Sequence, residues 1–153
     1  MPSKKTTLAK PKYLLDVNVL IALTQSDHTH HQIVTQWFDH LGLDWGMCAF
    51  SEAGFLRIST NPKVGNLTFE EASEILVSLV AHSSHRFWPI AASWASVTAP
   101  FSERIFGHRQ ITDAYLLGLA IQDNGVLVTL DKRIQYLAGP EYRQNVLVLE
   151  ESP

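Results

Sequence analysis

Four carboxylates in this chain occupy positions where acids can do chemistry: Asp16, Glu52, Asp113 and Asp131. Asp16 closes the apolar run Tyr13-Leu14-Leu15, and Asp131 follows Val126-Leu127-Val128-Thr129-Leu130. Glu52 lies just past the apolar run Trp45 to Phe50, and Asp113 opens the apolar segment Ala114 to Gln122. Brought together by folding, four like charges repel, and without compensation some stay protonated at neutral pH. A divalent cation is the simplest compensation, and ligation by oxygen alone suits Mg²⁺ or Mn²⁺. Such a site binds phosphate oxygens, lowers the pKa of a water and supports in-line displacement at phosphorus. Taken singly, each acid also has a plain local use. Asp16 and Asp131 sit where helix N-caps sit, and Glu52 and Asp113 where an acid complements a helix dipole. The joint placement is more specific, because Glu70 and Glu71 sit where an ordinary surface helix wants them.

These acids need elements to carry them. Tyr13–Leu15, Trp45–Phe50, Arg86–Trp88, Val126–Leu130 and Val146–Leu149 read as short strands, several without polar alternation. Between them, Val17–Leu23 is apolar and leads to a polar break at Gln25-Ser26-Asp27. His28–Leu41 reads as a helix, with Ile33, Trp37, Phe38 and Leu41 on one face and Gly42 as its stop. Ser51 is read as the N-cap of a helix that ends near Asn61-Pro62. Thr68-Phe69-Glu70-Glu71 is a capping box for a helix to about Ala81. Ala91–Gly107 is expected to be helical in part. Thr112 reads as an N-cap with Asp113 at the first helical position, and a short helix is expected from about Lys132 to Leu137.

Strands alternating with helices give an α/β fold, a three-layer sandwich around a short, mainly parallel sheet. In such a sheet ligands bind beyond the carboxyl ends of the strands. Parallel topology therefore brings Asp16 and Asp131, at strand ends, to the same edge as Glu52 and Asp113, at helix starts.

The chain has 153 residues, 46% of them hydrophobic and 18% charged, which suits one packed domain and excludes disorder. Residues 1–12 are expected to form a basic, mobile tail, and residues 13–150 a single domain. One cysteine, Cys48, excludes an intramolecular disulfide and fits a reducing compartment. With no apolar leader and no membrane-length run, a cytoplasmic protein is expected. Twelve basic residues stand against fifteen acids, and Lys4, Lys5, Lys10 and Lys12 all precede the first strand. A body this acidic does not coat nucleic acid electrostatically, but it can act on nucleic acid where its acids hold cations.

Leu14-Leu15-Asp16-Val17-Asn18-Val19-Leu20, Ser51-Glu52-Ala53-Gly54-Phe55-Leu56-Arg57, Gly107-His108-Arg109-Gln110-Ile111-Thr112-Asp113-Ala114-Tyr115 and Thr129-Leu130-Asp131-Lys132-Arg133 follow in an order that resembles the PIN domain. More narrowly they resemble VapC-type toxins of bacterial type II toxin–antitoxin modules, from Tyr13 to about Leu149. His28-Thr29-His30-His31 and His85-Arg86-Phe87-Trp88-Pro89 look like one subgroup of those toxins. The resemblance implies a metal-dependent endoribonuclease with Asp16, Glu52, Asp113 and Asp131 as the acidic quartet, and Mg²⁺ or Mn²⁺ as cofactor. Asp16 and Asp113 are the expected direct ligands, with Glu52 and Asp131 direct or through water. A water activated by the cation would attack an RNA phosphodiester in line. Asn18, Thr112 and Thr129 match supporting positions that orient carboxylates or water. Arg57, Arg109, Lys132 and Arg133 are candidates for contact with the RNA backbone. The resemblance also implies a homodimer and a VapB-like antitoxin.

Other groups are read as structural. His28, His30 and His31 lack the ligand pattern of a zinc site, and a solvated helix start is expected. Cys48 is expected in the core, and Trp37, Trp45, Trp88 and Trp94 in the core or a dimer interface. Two rival functions remain. A catalytically inactive PIN-like scaffold would bind partners only. A phosphatase with Asp16 as nucleophile, as in haloacid-dehalogenase-like enzymes, wants a second Asp two positions on, where this chain has Asn18.

Overall fold

A computed structural model describes residues 12–40 and 44–150. Five strands, β1 (Tyr13–Leu15), β2 (Trp45–Cys48), β3 (His85–Trp88), β4 (Val126–Thr129) and β5 (Val146–Val148), form one sheet in the order β3-β2-β1-β4-β5. Every pairing is parallel, with Tyr13 opposite both Trp45 and Val126. The helices are α1 (Val17–Thr24), α2 (His31–Asp39), α3 (Ala49–Ser59), α4 (Phe69–Val80), α5 (Trp94–Thr98), α6 (Ile111–Gln122) and α7 (Arg133–Ala138).

The central strands β1, β2 and β4 are buried on both faces, so neighbouring residues feed opposite cores. Leu14, Cys48, Leu127 and Val146 pack with α6 residues Ala114, Leu116 and Leu117 and with Phe101, Ile134 and Leu137. Leu15, Met47 and Val128 pack on the other side with Val19 and Leu20 of α1, Phe55 of α3 and Ala72 of α4. This is the expected three-layer α/β sandwich. Helices lie close where side chains are absent. A Cβ on Gly54 would stand 2.6 Å from Val17 Cγ2, so glycine lets α3 approach the start of α1. The capping box of α4 is complete: Thr68 Oγ1 accepts from Glu71 N at 3.1 Å, and Glu71 Oε2 accepts from Thr68 N at 2.7 Å.

Several boundaries differ from the sequence reading. The N-cap of α3 is Cys48, not Ser51, which is a buried residue inside the helix with its Oγ 3.3 Å from Cys48 Sγ. The strand stops two residues earlier than its apolar run, and the next ring, Phe50, leaves the sheet to meet Tyr115 edge-to-face at 5.2 Å. Thr112 is the second residue of α6 rather than its cap, because a 3-10 turn over His108–Gln110 runs straight into Ile111. Helix α2 starts at His31, since turns carry His28 N to Gln25 O and His31 N to His28 O. Lys132 caps α7, which begins at Arg133. In the stretch 91–107, α5 passes into a 3-10 turn broken at Phe101. Cys48, Trp45 and Trp88 are core residues, whereas Trp94 is 66% exposed. Residues 1–11 of the expected tail, and Leu41 and Gly42 at the expected stop of α2, lie outside the described residues.

Candidate active site

The carboxyl edge of the sheet gathers the aspartates. Asp16 ends β1 and caps α1, with only 6% of its surface exposed. Its Oδ1 accepts from Val17 N and its Oδ2 from Thr129 Oγ1, both at 2.7 Å. Thr129 ends β4, next to β1, so strand pairing alone sets this contact. The Thr129 hydroxyl also accepts from Asn18 Nδ2 at 3.3 Å and from Asp131 N at 3.0 Å. One donor and two acceptor bonds saturate a hydroxyl. Asn18 Oδ1 in turn accepts from Leu130 N at 3.1 Å. Asp16, Asn18, Thr129 and the start of the β4–α7 connection thus form one closed network.

Asp113, in the first turn of α6, is half-buried and accepts no hydrogen bond from the described residues. Burial, and then the charges of Asp16 and Asp131, push its pKa up to about 7. Asp16 is also pushed up, chiefly by burial, with its two hydrogen bonds opposing the shift. Asp131 is held below the ordinary carboxylate range by Arg133, whose Nε and Nη2 donate to both its oxygens at 2.9 to 3.2 Å. The structure therefore brings Asp16, Asp113 and Asp131 within one another's electrostatic reach. Glu52 stands apart: burial alone raises its pKa, with no contribution from the aspartates.

The supporting and basic candidates divide similarly. Asn18 and Thr129 are inside the network, and Thr112 is exposed. Arg109 and Arg133 line a cleft of about 180 Å³ with Gln110, Asp113, Ile134 and Leu137. Lys132 leans instead toward Glu150, at 3.5 Å. Arg57 is exposed in the last turn of α3, about 12 Å along the axis from the end nearest the sheet edge. His31 Nδ1 pairs with Ala22 O at 2.7 Å, and His28 Nδ1 accepts from His30 N at 3.0 Å.

Gln110 was not legible as a functional residue. Its Oε1 accepts from Phe106 N at 2.6 Å and its Nε2 donates to Arg104 O at 3.1 Å. It thereby fixes the turn that presents Arg109 next to Asp113, and no motif marks such a brace in advance.

The donor set is one of hard oxygens, which fits Mg²⁺ or Mn²⁺. The repulsion carried by Asp113 is what a cation would relieve. As placed, no three His, Cys, Asp or Glu side chains among the described residues stand close enough to share an ion. Thr129 donates to Asp16, and Arg133 pairs with Asp131.

The PIN domain family profile matches residues 13–140. Ribonuclease VapC38 of Mycobacterium tuberculosis is 42% identical over 128 residues, which cover 82% of this chain and 89% of the relative. The structure of FitAcB from Neisseria gonorrhoeae superposes with a TM-score of 0.62 at 19% identity, covering 90% of this chain and 96% of that one. A toxin–antitoxin complex from Klebsiella pneumoniae gives a TM-score of 0.59 at 18% identity, covering 92% and 99%. Parallel sheet, clustered aspartates and sequence similarity over most of the chain converge on one conclusion: this chain belongs to the PIN domain family, among relatives that bear the name VapC ribonuclease.

Proposed function

We propose that this protein is a Mg²⁺- or Mn²⁺-dependent endoribonuclease that serves as the toxin of a toxin–antitoxin pair. The observation that carries the reading is the convergence of Asp16, Asp113 and Asp131 from three separate elements, with Asp113 pushed up to about 7 by burial and then by the charges of the other two. A fold that needed only capping would not build that repulsion. Asp16 and Asp113 would hold the cation directly, and Asp131 and Glu52 directly or through water. When bound, the cation supplies the charge that keeps these acids ionised and polarises a water for attack on phosphorus. Thr129 and Asn18 fix the Asp16 carboxylate, and Arg109 and Arg133 flank the site where an RNA strand would lie. The names of the VapC relatives support RNA as substrate, and the Klebsiella toxin–antitoxin complex supports a VapB-like antitoxin. A homodimer in the cytoplasm completes the proposal; no helix among the described residues is long and apolar enough to cross a membrane. The phosphatase reading loses ground, because Asn18, tied to Leu130, stands where that chemistry wants a second aspartate.

The test is cleavage of total bacterial RNA by antitoxin-free protein with Mg²⁺ or Mn²⁺, with EDTA, and with Asp16→Asn alongside. Discrete metal-dependent fragments that vanish in the variant are expected, and their ends would map the target. No cleavage by folded, metal-supplied protein would favour the scaffold reading. Cleavage that survives both EDTA and the substitution would overturn the acidic-site mechanism.

A further inference from the structure

Asp131 is the most heavily engaged carboxylate at the sheet edge. Its Oδ1 accepts from Arg133 N at 2.9 Å and from Arg133 Nε at 3.0 Å. Its Oδ2 accepts from Nε at 3.2 Å and from Nη2 at 2.9 Å. Three N–H groups of Arg133 thus make four contacts with Asp131, the Nε hydrogen being shared between both oxygens. While the guanidinium stays, a cation must compete with it for both oxygens of Asp131. The two attachments differ in kind. The backbone N–H is fixed at the first position of α7, and it keeps Asp131 oriented whatever the side chain does. The guanidinium belongs to a side chain that is 78% exposed, so releasing it needs no repacking. Arg133 also lines a cleft in which Arg109 brings a second guanidinium, with Gln110 and Asp113 on the same walls. Two guanidiniums beside an acidic edge suit a phosphodiester, which takes bidentate hydrogen bonds from arginine.

We propose that Arg133 is a latch on the site: it closes Asp131 in the free protein and releases it to a divalent cation by turning into the cleft shared with Arg109, where an RNA phosphate holds it. This inference rests on the nuclease reading and adds an order to it. Cation and RNA strand then bind cooperatively, because each favours the open position of the same side chain. A positioning role of this kind separates Arg133 from its neighbour Lys132, which is paired with Glu150.

The experiment is calorimetric titration of the metal-stripped, full-length chain with Mn²⁺ alone, which reads affinity and not activity. Unfolding curves confirm that each variant is folded. Arg133→Ala and Arg133→Lys are both expected to tighten Mn²⁺ binding by roughly threefold or more, the scale of an exposed ion pair with good geometry. Arg133→Lys keeps the charge and loses the fork, so its gain separates the latch from simple charge repulsion. Arg109→Ala removes the same charge without freeing Asp131 and is expected to gain clearly less. A short 2′-O-methyl RNA is expected to tighten Mn²⁺ binding in the unsubstituted chain and to lose that effect in Arg133→Ala. Equal gains from Arg109→Ala and Arg133→Ala, or none from Arg133→Lys, would overturn the latch. So would RNA coupling that persists without Arg133. Mn²⁺ uptake that neither Arg133 variant alters overturns the latch alone; no uptake by any form overturns the metal reading with it.

Discussion

Asp16 and Asp113 are two carboxylates at one sheet edge, both pushed toward protonation, and they are built in opposite ways. Asp16 is buried between β1 and β4, with both oxygens accepting hydrogen bonds and its hydroxyl partner, Thr129, saturated. Asp113 is half-buried on the first turn of α6, without a hydrogen bond from the described residues, and is shifted first by burial and then by the charges of Asp16 and Asp131. The strand side of the site is a fixed scaffold whose geometry the fold itself maintains. The helix side is a loaded group awaiting a counter-charge. On the proposed function, the first half gives position and the second gives affinity for a cation.

Alanine at each position separates the two halves. Both Asp113→Ala and Asp16→Ala are expected to cut RNA cleavage by about 100-fold or more, since each removes charge stabilisation worth several kcal/mol in the transition state. Only Asp16→Ala is expected to destabilise the metal-free fold, by about 1–3 kcal/mol, because it removes an N-cap and leaves the buried Thr129 hydroxyl without its acceptor. Asp113→Ala relieves repulsion and should leave the urea midpoint in EDTA unchanged or higher. A lower midpoint for Asp113→Ala would erase the distinction between scaffold and loaded group.

Thr129→Val tests the scaffold without touching a carboxylate. Thr129 is fully buried, so the loss of its bonds to Asp16, Asn18 and Asp131 N is expected to cost about 1–3 kcal/mol in urea unfolding. Cleavage should fall by about tenfold or more, the scale seen when a group orienting a metal ligand is lost.

Proton linkage sharpens the comparison further. Folded Asp113 keeps its proton to about pH 7, whereas its ordinary value is 3.8. The folded state therefore binds more protons across that window. Metal-free stability falls as pH rises through it, and the penalty is complete above the folded value. Urea unfolding in EDTA at about pH 5 and about pH 7.5 should show this fall, reduced in Asp113→Asn. An equal fall in that variant would place the linkage elsewhere. The smallest effect is expected from Arg57→Ala, within about 0.5 kcal/mol in stability and with RNA cleavage unchanged, since Arg57 sits at the far end of α3. A marked loss of cleavage would extend the RNA path well beyond the sheet edge.

Much of this was legible in the residues because parallel sheets are regular. Asp16 and Asp131 could be placed at one edge from the apolar runs before them, and β1 and β4 do pair in parallel. The α4 cap was legible because a capping box is a purely local arrangement of two side chains and two backbone groups. The errors fall where a local signal competes with tertiary packing. Ser51 and Thr112 look like caps in isolation. The first is drawn inside α3 because the strand ends early at Cys48, the second inside α6 because a 3-10 turn precedes it. Trp94, expected in the core or a dimer interface, lies on the surface of the single chain.

The sequence by itself determined the alternation of elements, the parallel sheet and the identity of the acids, since hydrophobic period and chain order act through local geometry. Only the tertiary structure decided how those acids differ. Whether a carboxylate is hydrogen-bonded, repelled or covered by a guanidinium depends on partners 111 to 113 positions away, as with Asn18, Asp16 and Thr129. It depends equally on rotamers, as with Arg133 on Asp131. Electrostatics acts through distance in space, and that distance exists only once the strands have paired.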